Sequence, residues 1–519
     1  MKKAFFVYFL SVALIIGMVC SCSTGPNYGK LIPKDAAVVV SFNIEKAIES
    51  SGMEGEDEPQ EVLEKVLKKS DFSRATREKL EEIIDDPDEA GLDLREPLML
   101  FYSSTYKNEA GLTGAVYDAQ KLEDLVNVMA REALCNKVNT YGELRYSIMG
   151  NMVLAFNDSW FFVTEKKSNQ MNEEAVLDEI EGLFLQDEEK SLYGTEVYEK
   201  MSAGEGFFQI LLQGEGLEDM LQKYPDFKQM MAGLPSDFDL SDIAYICDLS
   251  MNKGEILFSG ETVLLTDEAE KWLEKYNGYG QIAGDFNSYI SPDAILRVMS
   301  NVNGESVSKQ MAEQPDVMKA LDRMHMDFLP ELLAGVKGDC AFYINGMIRH
   351  SDFPEMGIYV QTENADWLKY VLPKLPQEPE CVGKNEYSLA LYENPDAQMA
   401  NLAPEAYAKF GTRGGVSYLL VGKSPDPFYK EKEIQHLGDG KNVYMRLNIS
   451  DLADMGIFKD AMGRMESMVM KQVASPFDYA EMYLENKTKT TFRIVMKDKD
   501  EYPVKTVYDE VFKLLKHFL

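Results

Sequence analysis

The sequence predicts an α+β protein made of two tandem, weakly similar halves, each a largely antiparallel sheet with helices packed on one face. Three observations carry this: close-set strand pairs split by turn residues, amphipathic stretches between groups of strands, and an internal echo that repeats both in the same order. A short turn between two strands implies an antiparallel pair, because a parallel pair needs a crossover of a dozen or more residues. Segments 152–156 and 160–163 are such a pair, split by Asn157-Asp158-Ser159, whose side chains favour turns by bonding nearby backbone. Lys489 to Met496 alternates as a half-buried strand does, with Phe492, Ile494 and Met496 on one side. Val504, Val507, Tyr508, Val511, Phe512 and Leu515 recur at helical spacing and mark a closing helix.

The echo begins with Ile32-Pro33-Lys34-Asp35-Ala36-Ala37-Val38-Val39-Val40-Ser41-Phe42-Asn43, which Ile290-Ser291-Pro292-Asp293-Ala294-Ile295-Leu296-Arg297-Val298-Met299-Ser300-Asn301 repeats in pattern. Pro97 to Tyr102 followed by Gly114-Ala115-Val116-Tyr117 parallels Cys340 to Ile344 followed by Gly357-Ile358-Tyr359-Val360. A helical stripe then follows in each half: Leu122, Leu125, Val126 and Met129 in the first, Trp367, Leu368, Val371 and Leu372 in the second. Tyr146-Ser147-Ile148 matches Tyr387-Ser388-Leu389, and Trp160-Phe161-Phe162-Val163 matches Tyr418-Leu419-Leu420-Val421. The order shared by these pairs, rather than any one of them, implies an ancient duplication. It places a first α+β repeat at 31–280 and a second at 287–519. The glycine-dense stretch 277–284 is the expected linker.

Composition narrows the class. With 519 residues, 45% hydrophobic and 11% aromatic, the chain can bury more than one core and is not disordered. A net charge of −34 argues against nucleic acid and against a footprint on anionic headgroups; it suits a self-repelling soluble surface or, less commonly, a basic partner. Beyond the N-terminal region four cysteines remain, Cys135, Cys247, Cys340 and Cys381, with no CxxC pair among them. So few in so long a chain do not make a disulfide scaffold, and buried free thiols are expected.

The N-terminus reads as an address. Lys2 and Lys3 precede an apolar run from Ala4 to Val19, and Val19-Cys20-Ser21-Cys22 follows. A basic region, an apolar region and a small residue before the cut make an export signal. Val-x-Ser-Cys resembles a bacterial lipobox, which implies a signal peptide at 1–21, lipid (palmitate among the chains) on Cys22, and a lipidated tether at 22–30. Cys20 fits less well, since Val19 would stand where a small residue is wanted, and an uncleaved anchor helix is the plainer alternative. Two or more acyl chains hold a protein on a membrane stably, at about 0.8 kcal/mol per buried methylene. The expected location is therefore the cell envelope, lipid-anchored to the outer membrane. Ser23 to Asn27 carries no acidic residue, which favours the periplasmic face.

Together with the Ile32–Asn43 segment and Asp86-Pro87-Asp88-Glu89-Ala90-Gly91-Leu92-Asp93 before a strand, this lipobox resembles uncharacterised lipoproteins of about 500 residues from Bacteroides and relatives, against 519 here. The resemblance spans essentially the whole chain. It implies compartment and architecture, and it carries no established activity, being to a family of unknown function.

Catalytic signals are thin. The four histidines, His325, His350, His436 and His517, are scattered, so no HExxH or paired-histidine metal site can be drawn. There is no GxSxG elbow, Walker loop or dinucleotide fingerprint. His350-Ser351-Asp352 holds three suggestive residue types, but triads assemble from distant positions. Asp85 to Asp93 lacks an EF-hand ligand at Ala90 and the bidentate Glu at Pro97, so it reads as a structural turn, with adventitious calcium as the alternative. Methionines, 29 in all, gather at 220–231, 311–326 and 455–470, as core filler or as an adaptable apolar groove. No catalytic residue, cofactor or metal is assigned, and Cys22 as lipid attachment is the one site residue.

Three functions follow in order: a non-catalytic envelope lipoprotein with a binding or scaffolding role and an envelope protein partner; a small-molecule or peptide binder using a cleft between the halves; and an unrecognised hydrolase. Beyond the membrane held through the lipid, the partner is unidentified and nucleic acid is not expected.

Overall fold

The computed structural model describes residues 28–52, 67–68, 70–106, 109–166, 173–223, 239–275, 278–324, 326–349, 351, 353–392, 403–454 and 472–518. The chain divides into two compact units: one runs to Ala269 and takes in Tyr502–Lys505, the other holds Glu270–Glu501 and the residues from Thr506 on. Both are mixed α+β, with every described strand pairing antiparallel.

The strands of the first unit are β1 (Val38–Phe42), β2 (Leu98–Tyr102), β3 (Ala110–Ala115), β4 (Asn139–Tyr141), β5 (Leu144–Met149), β6 (Met152–Phe156), β7 (Trp160–Glu165), β8 (Phe208–Gln213), β9 (Ile243–Asn252) and β10 (Glu255–Leu264). They pair in the order β4-β5-β6-β7-β3-β2-β1-β8-β9-β10. The principal helices are α1 (Ile44–Ser51), α2 (Arg74–Asp85), α3 (Ala119–Arg131), α4 (Glu173–Phe184) and α5 (Glu196–Ser202). Asp118 starts α3 by accepting from the backbone amides of Gln120 and Lys121 at 2.9 and 3.1 Å, satisfying donors that have no helical partner. The Leu122, Val126 and Met129 stripe is then buried.

Helices cover both faces of this sheet, where the sequence reading expected one. Phe161 and Phe162 are neighbours on β7 and so point to opposite faces. Phe161 packs with Leu122 and Val126 of α3, whereas Phe162 joins Val176, Leu177 and Ile180 of α4. Four consecutive residues of β6, Val153 to Phe156, are buried for the same reason. A strand covered on both sides reads as a continuous apolar run, which Met152-Val153-Leu154-Ala155-Phe156 is.

The second unit holds β11 (Tyr279–Gly280), β12 (Leu296–Asn303), β13 (Val336–Met347), β14 (Pro354–Thr362), β15 (Glu380–Gly383), β16 (Glu386–Leu391), β17 (Ala406–Arg413), β18 (Val416–Gly422), β19 (Val443–Asn448), β20 (Phe477–Leu484) and β21 (Lys489–Met496). The pairing order is β15-β16-β17-β18-β14-β13-β12-β19-β20-β21, with β11 adding a short pairing to β12. Its helices include α6 (Gly304–Ala312), α7 (Leu329–Ala334) and α8 (Leu368–Val371). Helix α8 is one turn long. Pro373 lacks the amide that a helix interior needs, so the chain passes into a 3-10 turn at Leu372–Lys374.

One buried carboxylate anchors the glycine-dense lead into this sheet. Asp339 on β13 is fully buried and accepts from the amides of Ala283, Gly284 and Asp285 at 3.0, 2.8 and 3.1 Å and from Asn301 Nδ2 at 2.9 Å. A buried charge persists only when its lone pairs are satisfied, and here backbone donors do it. Asp339→Ala should therefore destabilise the second unit by about 1.5–3 kcal/mol, read as a lowered denaturant midpoint with unchanged slope.

A second buried carboxylate, Glu386 on β16, ties that strand to β17 and β18. Burial raises the Glu386 carboxyl, but hydrogen bonds from Arg413 and Tyr418 outweigh it and hold the pKa below the usual value. A depressed carboxyl stabilises the fold above its unfolded pKa and loses that contribution as pH falls through the folded value. Glu386→Gln should accordingly flatten the acid limb of the stability–pH curve below about pH 4.5, and an unchanged limb would contradict this.

Candidate ligand cavities

Each unit holds an apolar cavity at the same topological place, between one face of the sheet and the helix that follows its third strand. In the first unit the cavity, about 150 Å³, lies under α2 and α3. Leu98, Leu112, Leu154, Phe161 and Val163 form its sheet wall, and Leu80, Ile83, Leu122, Val126 and Met129 its roof. The one polar side chain in its lining is Cys135, whose thiol bonds the Val126 carbonyl. A void of this size and lining stays dry and admits only a small hydrocarbon.

In the second unit the cavity is larger, about 510 Å³, and open. Strand register builds its floor: Cys340 opposes Val360, which opposes Ser417, while Ile358 opposes Leu419 one pleat along. Leu332 and Leu333 of α7 form one wall and Trp367 with Tyr370 the other. The difference in size follows from helix length. At 1.5 Å per residue the four-residue α8 spans about 6 Å, against about 20 Å for the thirteen-residue α3, so it leaves floor uncovered.

The polar groups of this floor are already satisfied. Ser417 Oγ bonds Thr362 at 2.7 Å and Thr412 at 2.8 Å, and Trp367 Nε1 donates to Thr412 at 2.9 Å. Burial pushes the Cys340 thiol up to about 12, so it stays protonated and unreactive. Charge is confined to the rim, where Lys369 pairs with Glu331 at 3.0 Å and Lys337 with Glu363. Such a site accepts an apolar body and offers polar contacts only at its mouth, which is the usual build of a ligand pocket.

The residues singled out from sequence fall elsewhere. Cys22, with the signal peptide and most of the tether, lies outside the described residues, as do His325, His350, Asp352 and the methionines at 230–231 and 455–470. His436 is exposed, its Nδ1 3.0 Å from Asp439. Asp86 caps the short 3-10 turn Pro87–Ala90, and Asp93 pairs with Arg95 at 2.7 Å, so these acids serve a turn. Among the described residues no group of three His, Cys, Asp or Glu could hold a metal ion, and no helix is long and apolar enough to cross a membrane. The four cysteines are free. Cys135, Cys247 and Cys340 are partly buried, but Cys381 is exposed, against the expectation that all would be buried. In the native protein Cys381 should react with a thiol reagent first, and Cys340 only on unfolding; peptide mapping after timed labelling checks the order.

The cavity residues come from four separated stretches, and sequence reading assigned Trp367 and Leu368 only to a helix stripe. Pro373 was the available signal, since it forbids a long helix over the second sheet.

A family model described as "Domain of unknown function (DUF4836)" matches residues 28–503, and the chain belongs to that family. No curated protein matches it. Among solved structures it is similar to TP0453 in crystal form I, at 11% identity over 49% of this chain and 85% of that one with a TM-score of 0.25. Crystal form III of TP0453 gives 11% identity over 50% and 90%, with a TM-score of 0.27.

Proposed function

We propose that this member of the DUF4836 family is a membrane-anchored lipoprotein of the cell envelope with a non-catalytic binding role, and that it takes an apolar-bodied small molecule in the second unit's cavity. The observation that carries the binding role is the 510 Å³ cavity, whose floor has no unsatisfied polar group and whose charges lie at the rim. The anchoring rests on Lys2, Lys3, the apolar run to Val19 and the Ser21-Cys22 junction. The outer membrane, periplasmic face, is the location proposed.

We also infer that the two units descend from a duplication. The ten strands β1–β10 and β12–β21 pair in one order. Their register supports the reading at the level of single residues: Val38 opposes Tyr102 and Leu212, as Leu296 opposes Ile344 and Leu447. Phe101 opposes Gly111, as Tyr343 opposes Gly357. A Cβ on Gly111 would come within 2.4 Å of Phe162, and one on Gly357 within 2.4 Å of Tyr343, so an aromatic crosses a bare backbone in both. This register pairs Gly357 with Gly111, three residues before the Gly114 that the sequence echo suggested. Asn43 and Asn303 cap the helix after each central strand, accepting from the amides of Lys46 and Ser306.

Two measurements test the function. Cells fed an alkyne-bearing fatty acid should label the wild-type protein, and Cys22→Ser should abolish both the label and the membrane fraction; retained label would contradict the anchor. An apolar fluorescent dye should bind the full-length protein, and Val360→Trp, which fills the floor, should weaken it by about tenfold or more. Dye binding unaffected by that substitution would place the ligand elsewhere.

A further inference from the structure

On the opposite face of the second sheet a row of charges runs across neighbouring strands: Arg297 on β12, Arg446 on β19, Glu481 on β20 and Arg493 on β21. Three arginines stand against one glutamate, in a chain whose acids outnumber its Lys and Arg by 87 to 53. That glutamate is committed. Its carboxylate accepts from Arg493 Nε at 2.8 Å and from the Tyr444 hydroxyl at 3.0 Å.

Arg297 and Arg446 are left facing each other. They are direct cross-strand partners, a placement that brings Cβ atoms within about 4.5–5.5 Å and is destabilising for like charges. Arg297 is 2% exposed; its Nη2 donates to the Ser291 carbonyl at 3.1 Å, and its Nη1 has no partner. Arg446 donates through Nε to Asn448 at 3.2 Å, and its guanidinium carbon lies 3.7 Å from the Tyr479 ring centre. Lys499 lies 5.8 Å from that ring and is itself paired with Asp478 at 4.0 Å. Among the described residues neither Arg297 nor Arg446 has a carboxylate within ion-pair distance. Burial pulls the Arg297 pKa below its ordinary value; Tyr444 opposes the fall and Arg446 adds to it, and the guanidinium stays charged at neutral pH.

The fold does not require this pair. At the same register positions the first unit carries Val39 opposite Leu211, both fully buried in its core. Glu481 lies across from Arg446 but is taken up by Arg493 and Tyr444, so these arginines stand where the first unit has a buried apolar pair with no carboxylate of their own, the form of a site whose counter-charge is a ligand.

We propose that Arg297 and Arg446 bind a phosphate oxyanion, held between the two guanidiniums on the face opposite the apolar cavity. Arg297 Nη1 supplies the buried donor, and Arg446, half-buried beside the Tyr479 ring, supplies the donors at the mouth. A guanidinium pair suits a phosphate because its planar fork meets two oxygens at once. The phosphate is inorganic or the monoester of a lipid headgroup; the chemistry at the arginines is the same.

Calorimetric titration of the full-length protein in neutral detergent tests this, with inorganic phosphate and glycerol 3-phosphate at constant ionic strength. Saturable binding is expected, weakened about tenfold or more in Arg446→Gln and in Arg297→Val, the residue the first unit tolerates there. Circular dichroism of both variants shows that the fold is kept. Tighter binding of glycerol 3-phosphate assigns the headgroup as the source, and tighter binding of inorganic phosphate assigns the free ion. No saturable heat with either anion in the wild type, or equal affinity in wild type and Arg446→Gln, overturns the proposal.

Discussion

The constraint from which the remainder follows is a central strand hydrogen-bonded on both sides: β1 between β2 and β8, and β12 between β13 and β19. Once register is set there, the two-residue alternation of side chains decides which face every neighbour serves, and a one-residue slip would turn each sheet inside out. Met299 of β12 packs with Phe286, Tyr359 and Tyr444 in one core, while even-numbered residues share the face of Cys340 and Val302 beside the cavity. The two sites of the second unit are therefore products of one register. Val298 and Ser300 belong to the cavity's face, and Arg297, one residue before Val298, points to the other face and belongs to the charged row.

The two units show how one strand order supports different chemistry. In the first, a long helix capped by Asp118 seals the sheet, and the central pair is Val39 with Leu211. In the second, Pro373 ends the corresponding helix after one turn, and the central pair is Arg297 with Arg446. Both changes take apolar cover out of the second unit's packing. A helix that no longer covers the floor leaves an apolar recess, and a charged pair in place of an apolar one leaves donors without acceptors.

Much of the fold was legible, because strand and turn patterns are local. The Asn157-Asp158-Ser159 hairpin and the Leu122–Met129 stripe both depend on neighbours in sequence. The second covered face was written in the unbroken run Met152 to Phe156, which alternation alone would not produce. The sites were less legible because each is assembled by register. Nothing near Val360 in sequence indicates that Cys340 and Ser417 lie beside it. Arg297 did carry a signal, a charge inside the apolar run Ala294-Ile295-Leu296-Arg297-Val298-Met299, but its meaning depends on Arg446, 149 residues later.

The central claim is that this is a binding protein whose second unit carries a ligand on an apolar floor. Native mass spectrometry of the intact protein, purified gently from the membranes of cells that make it, tests that most directly. The account expects a bound small molecule with an apolar body, present on the wild type and absent when Val360→Trp fills the floor. Identical spectra for the two proteins, with no additional mass on either, would contradict it.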